Sequence, residues 1–333
     1  MTDQEPWLAL TVEEAIEPDI MICDPHHHLW DYPDSRYLVD ELLDDIDGGH
    51  RVTSTVFVEC LQMYRSEGPD ELKPVGETEF VNRISSESRA SDIRVAAGIV
   101  GFADLTLGAA VQPVIEAHMQ VSERFRGIRY ASAWDESEQV RNAHTKPPKD
   151  LLQNRAFRAG FESLNKLGLS FDAWVYHPQI PQVADLARAF PDVTVVLDHV
   201  GGPLGIGPYA GKREEVFEIW RKNISELADC ANVVVKLGGL TMTMSGFGWH
   251  KRDAPPDSIE LAEAMGPYYQ SCIDCFGVDR CMFESNFPVD RASCSYGVQW
   301  NAFKRLTQNY SKAERAALFY DTAARVYRLD TVQ

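Results

Sequence analysis

Three consecutive histidines, His26-His27-His28, follow a proline and a short apolar run, Ile20–Cys23. Such a run, closed by proline, reads as a buried strand. Side chains alternate along a strand, so the spacing predicts His26 and His28 on one face, Asp24 with them, and His27 on the other. Each imidazole offers one lone-pair nitrogen and one N–H, so two on one face can ligate a divalent cation or move a proton near neutral pH. The plainer reading is a surface cluster or a tag remnant. A tag is disfavoured because the triplet is internal, between the apolar run and Leu29-Trp30.

Two imidazoles need further groups brought to them, which depends on the elements that carry the rest of the chain. Seven more strand-like runs follow: Thr53–Cys60, Ile93–Val100, Phe125–Tyr130, Ser170–Tyr176, Val193–Asp198, Val233–Leu237 and Arg280–Glu284. Helical spacing fills the intervals at Glu77–Ala90, Ala109–Gln120, Asn154–Leu167, Ile180–Phe190, Glu214–Asp229, Ile259–Phe276 and Tyr296–Gln308. Alternation of this kind, with strands apolar on both faces, predicts an α/β fold, a single-domain (β/α)8 TIM barrel over 20–333 preceded by an arm over 1–19. A doubly wound open sheet is the second choice. Against it, no G-x-G-x-x-G follows the first strand, and polar side chains gather after nearly every strand rather than at one switch point.

A parallel barrel delivers all strand C-termini to one rim. The first strand supplies His26 and His28, and the second Glu59. Arg129 and Tyr130 come from the fourth, with Trp134 soon after, and His177 from the fifth behind Trp174. The sixth supplies Asp198 and His199. Lys236 ends the seventh, followed by Gly238-Gly239 and a loop with Met242, Gly246, Gly248, Trp249 and His250. Glu284, Asn286 and Asp290 come from the eighth. Each has a structural explanation singly, as a packed aromatic, an interior ion pair or a turn. Histidines after strands one, five and six together favour a site.

The net charge of −18 repels nucleic acid and anionic membrane surfaces, leaving a small molecule as the expected partner. No run of about 18 apolar residues is present, and the acidic start does not resemble a signal sequence, so a cytoplasmic protein is expected. Seven cysteines, mostly within apolar runs, fit reduced core thiols. Cys272-x-x-Cys275 falls in a helical pattern with no second pair and reads as packing. Whether the chain forms a homo-oligomer is left open.

Asp24-x-His26-x-His28 with Trp30, Trp174-Val-Tyr-His177-Pro-Gln179, Leu197-Asp198-His199-Val-Gly201-Gly202-Pro203 and Phe283-Glu-Ser-Asn286-Phe-Pro288 together resemble the amidohydrolase superfamily. More narrowly, they are similar to its amidohydrolase-related branch of sugar-lactone and pyrone-dicarboxylate lactone hydrolases. The resemblance implies a TIM-barrel hydrolase opening a lactone or cyclic amide. It matches His26 and His28 to the first-strand pair, His177 to the fifth-strand histidine and His199 to the sixth-strand one. These four are expected either to hold one divalent metal, zinc by preference, or to polarise the carbonyl in metal-free catalysis.

One position departs from that pattern. Asn286 stands where relatives usually carry a base and ligand aspartate, and an amide neither takes a proton at neutral pH nor ligates well. Glu59 is preferred over Glu284 as the replacement base, because alternation turns Glu284 away from Ser285. The remaining expected roles are catalytic for His199, Asn286 and Lys236, and substrate-binding for Arg129 (gripping a carboxylate), Tyr130, Trp30, Trp174 and Trp249. The loop after strand seven is expected to close over the site. Two other readings stand beside the lactonase: a non-oxidative decarboxylase or hydratase of an aromatic or unsaturated acid, and a catalytically altered binding protein.

Overall fold

A computed structural model describes residues 5–87 and 92–330. Eight parallel strands run in chain order: β1 (Met21–His27), β2 (Arg51–Val58), β3 (Arg94–Gly101), β4 (Phe125–Ala131), β5 (Ser170–Trp174), β6 (Val195–Leu197), β7 (Val233–Leu237) and β8 (Cys281–Phe283). Each pairs with its sequence neighbour. The chain beyond β8 returns to β1 through a bridge between His27 and Phe287. There Asn286 N donates to His26 O (2.9 Å) and His28 N to Phe287 O (2.8 Å). The expected barrel is therefore observed, with termini shifted by a residue or two at most strands.

Helices follow each strand: α1 (Val39–Ile46), α2 (Val75–Glu87), α3 (Gln112–Val121), α4 (Arg155–Leu167), α5 (Ile180–Ala189), α6 (Arg213–Ala228), α7 (Ser258–Phe276) and α8 (Tyr296–Leu306). Their ends have local causes. The Asn154 side chain accepts from Ala156 N and Phe157 N at the start of α4, and Gly168 ends it in the left-handed region. α1, whose apolar residues Val39, Leu42, Leu43 and Ile46 share one helical face, and the hairpin Trp30–Tyr32 with Ser35–Tyr37 before it were not among the expected elements. The expected tail of α2 at 88–90 lies outside the described residues.

The main apolar core fills the space between the outer strand faces and the helices. A second core lies inside the barrel at its N-terminal end, where Cys23, Val56, Val58, Val196 and Val234 meet Tyr320, Ala323, Val326 and Tyr327 of the C-terminal segment. That segment stoppers the lower mouth. Residues 11–17 are tied to α7 and α8: Glu13 accepts from Ser258 N and Asn301 Nδ2, and Lys304 Nζ donates to the Ile16 and Glu17 carbonyls. All seven cysteines are free thiols. Among the described residues no helix is long and apolar enough to cross a membrane.

Candidate active site

β1 does not alternate simply. Pro25 has no N–H to give to the strand pairing, and the register slips between Asp24 and His27, a bulge of the kind that re-aims side chains. Asp24 is thereby turned away from the expected face: it accepts from Ser285 N (3.0 Å) and Tyr296 Oη (3.1 Å). His27 lies on the other face as expected, with Nε2 2.9 Å from Thr55 Oγ1. His26 and His28 come together, ring centres 4.9 Å apart, and His199 joins them 4.6 Å from His26.

Glu284 ties this cluster. Its Oε1 accepts from His199 N (3.1 Å) and Nδ1 (2.6 Å), and its Oε2 lies 2.9 Å from His26 Nδ1. Burial alone would raise Glu284, but the two imidazoles outweigh it and hold the carboxyl down at about 2. The expectation that Glu284 points elsewhere is corrected: the chain leaves the extended conformation here, reaching φ 56° at Asn286, so alternation does not hold. His199 is also left-handed, at φ 54°. Gly238 and Gly239 make room for both groups, since a Cβ at Gly238 would lie 2.3 Å from Glu284 Cγ and one at Gly239 2.5 Å from His199 Cβ. Left-handed non-glycine residues gathered at one strand-end cluster are typical of functional sites.

His28 Nδ1–H donates to Val58 O (2.8 Å), which leaves Nε2 as its lone-pair nitrogen. Burial, then the charge of Lys236 for His26 and of Arg129 for His28, keeps both histidines well below the usual imidazole range and hence neutral. Lys236 is fully buried, with Nζ 2.7 Å from Asp172 Oδ2, 3.0 Å from Asp198 Oδ1 and 3.1 Å from His26 Nδ1. Asp172 and Asp198, despite the cost of burying Lys236, push its pKa up and keep it charged.

Glu59 stands to one side of the histidines. Arg129 Nε donates to Glu59 Oε1 (2.8 Å) and Nη2 to the Glu59 carbonyl, while His144 Nε2 lies 3.2 Å from Oε1 and 3.3 Å from Oε2. Burial works against its charge, but Arg129 and His144 together bring the Glu59 carboxyl down to about 2. A carboxylate so held is a weak proton acceptor. Arg129, expected to hold a substrate carboxylate, is committed to Glu59, with Nη1 3.5 Å from His26 Nε2.

A cavity of about 300 Å³ opens over the cluster. Of the expected residues, His28, His199, Arg129, Trp30, Trp174 and Asn286 line it. Trp30 stacks on His28 and Trp174 meets His199 edge to face. His26, Glu59 and Lys236 belong to the cluster without lining the cavity, and three further expected residues lie elsewhere. Tyr130 faces outward, against Phe102 and Phe157. His177 begins a turn after β5 and sits against Tyr209, in a separate hollow with Asp135. Trp249 is buried in the main core, stacked on Phe247, so it does not cover the site; Met242 and Met244 of the same loop reach the cavity instead. Sequence reasoning missed Arg141 and His144, which come from the long 132–150 loop, where no periodicity marks them.

Asn286 Nδ2 donates to Asp290 Oδ1 (3.0 Å), while Asn286 Oδ1 has no partner among the described residues. Burial raises Asp290 to about 7. For a divalent cation, His26, Asp198 and His199 offer one ligand atom each within 4.8 Å of one another. Asp198 Oδ2 is buried with no hydrogen-bond partner among the described residues, and His26 is neutral, as a ligand must be. In donor type the set fits zinc.

The chain is 34% identical to the uncharacterized protein y4mH of Sinorhizobium fredii, over 93% of this chain and 99% of that one. It is 26% identical to an L-fucono-1,5-lactonase of Burkholderia ambifaria, over 92% and 95%. A zinc-bound amidohydrolase from Burkholderia multivorans shares the fold, with TM-score 0.72 and 23% identity over 93% of this chain and all of that one. The amidohydrolase family model matches residues 23–329, and the chain, a hydrolase, belongs to that family.

Proposed function

We propose that the protein hydrolyses a lactone or a closely related cyclic ester in the cavity at the C-terminal mouth of the barrel. The observation that carries this reading is the convergence of His26, His28 and His199 with Glu284 beneath a cavity of small-molecule size. The relative named L-fucono-1,5-lactonase supports the choice of ester.

His26, His199 and Asp198 would hold a divalent ion, zinc by preference; when bound, such an ion polarises a carbonyl and lowers the pKa of coordinated water to about 7. Glu284 fixes the orientation and tautomer of the His199 ring and helps hold the His26 ring in place. Trp30 and Trp174 flank the substrate ring and exclude water. Lys236 keeps positive charge beneath the cluster. With Arg129 engaged by Glu59, exposed Arg141 on the cavity wall is the group that meets a substrate carboxylate.

A panel of aldonolactones and carboxylated lactones, followed by proton release and by product mass, tests this. One water gained on ring opening is the expected result. Release of CO₂ from an aromatic acid in place of ring opening would overturn it.

A further inference from the structure

His144 was not among the residues that the sequence marked, yet it contacts a buried carboxylate and lines the cavity. We infer that His144, oriented by Glu59, is the general base that activates water, in the role left open by Asn286. This inference rests on the lactonase reading.

The geometry is that of a carboxylate–imidazole dyad. Glu59 is fully buried and ionised, so the nitrogen facing it, His144 Nε2 at 3.2 and 3.3 Å, carries the proton. That fixes the tautomer with the lone pair on Nδ1. No hydrogen bond to Nδ1 is made among the described residues, and His144, 26% exposed, borders the same cavity as His28 and His199. Arg129 holds the other side of Glu59, and its Nε bond to Oε1 keeps the carboxylate from swinging away.

The alternatives are worse placed. Glu284 and Glu59 are both held at about 2, and Asn286 cannot accept a proton. Asp290 shares its Oδ1 with Asn286 Nδ2 and does not border the cavity.

The step balances. Nδ1 takes a proton from water while the water oxygen bonds to the ester carbonyl carbon and the carbonyl π pair moves to its oxygen. Collapse of that adduct breaks the ring C–O bond, and the leaving alkoxide takes the proton from Nδ1. One water is consumed, and His144 and Glu59 end as they began.

The test compares the wild-type protein with His144→Gln and His144→Ala on a lactone that the wild type turns over, with melting curves as the control for folding. The expected result is a fall in kcat of about 10²–10⁴-fold with KM changed little, the usual size of a general-base contribution. Imidazole in solution should restore part of the His144→Ala rate, and the acid limb of the wild-type pH profile should change in both variants. A variant that keeps wild-type kcat, or a His144→Ala loss that imidazole does not relieve, overturns the assignment alone. Wild-type protein that opens no lactone overturns the lactonase reading and this assignment with it.

Discussion

The two ends of the barrel interior treat buried charge differently. At the lower end, Tyr327 Oη donates to Asp172 Oδ2 (2.6 Å), Lys236 Nζ reaches the same oxygen, and apolar side chains of the C-terminal segment surround them. At the upper end, Asp198 Oδ2 and Asn286 Oδ1 have no partner among the described residues, and His199 and Asn286 hold left-handed backbone. Asp172 Oδ1 at the lower end also lacks a partner among the described residues, but it is sealed among those apolar side chains, whereas the upper end holds its unmet bonding capacity beside the histidines, where a ligand can use it. Lys236 joins the two.

The largest expected effect is at that joint. Lys236→Met leaves Asp172 and Asp198 buried without their counter-charge, so denaturant unfolding should show a loss of about 3–5 kcal/mol. Above it, Asp198→Asn should separate the ends. Divalent-ion affinity, measured by titration, should fall by more than the about 10–100-fold typical of losing an outer-shell partner, with the melting temperature unchanged or raised. An equal fall in stability would dissolve the contrast. Below it, Tyr327→Phe should cost about 1 kcal/mol with kcat kept, since Lys236 still serves Asp172.

The smallest effects are in the pH dependence of stability. Glu59 and Glu284 fall from an ordinary 4.5 to about 2 in the folded protein, so their contribution is present above 4.5 and lost as pH drops toward 2. Asp290 has the opposite sign. Its folded value rises from 3.8 to about 7, the folded state holds the proton longer, and stability declines as pH climbs between those values. Buried histidines such as His27 and His50, lowered to about 3 and about 4, pull the other way over part of this range, so the check is a comparison: thermal melts of Asp290→Asn should lack this component of the wild-type slope.

The barrel was legible because eight apolar runs alternate with helical spacing, a pattern set by burial on both strand faces. His26, His28 and His199 were legible for the same reason, since each ends such a run. What failed was local. A bulge at Pro25 re-aimed Asp24, and the turn after β8 brought Glu284 inward against the alternation rule. His177 begins a tight turn rather than extending its strand, which places it in a separate hollow beside Tyr209, away from the other histidines. His144 was hidden because the 132–150 loop has no period, and only its contact with Glu59, 85 positions earlier, gives it meaning.

Tyr327 comes after every strand in the chain. During synthesis on the ribosome, Asp172 and Lys236 therefore emerge long before the phenol that closes over them, and until it arrives water can reach their ion pair from below. The barrel is completed by its own tail, so the order in which the polypeptide is made places the sealing step last.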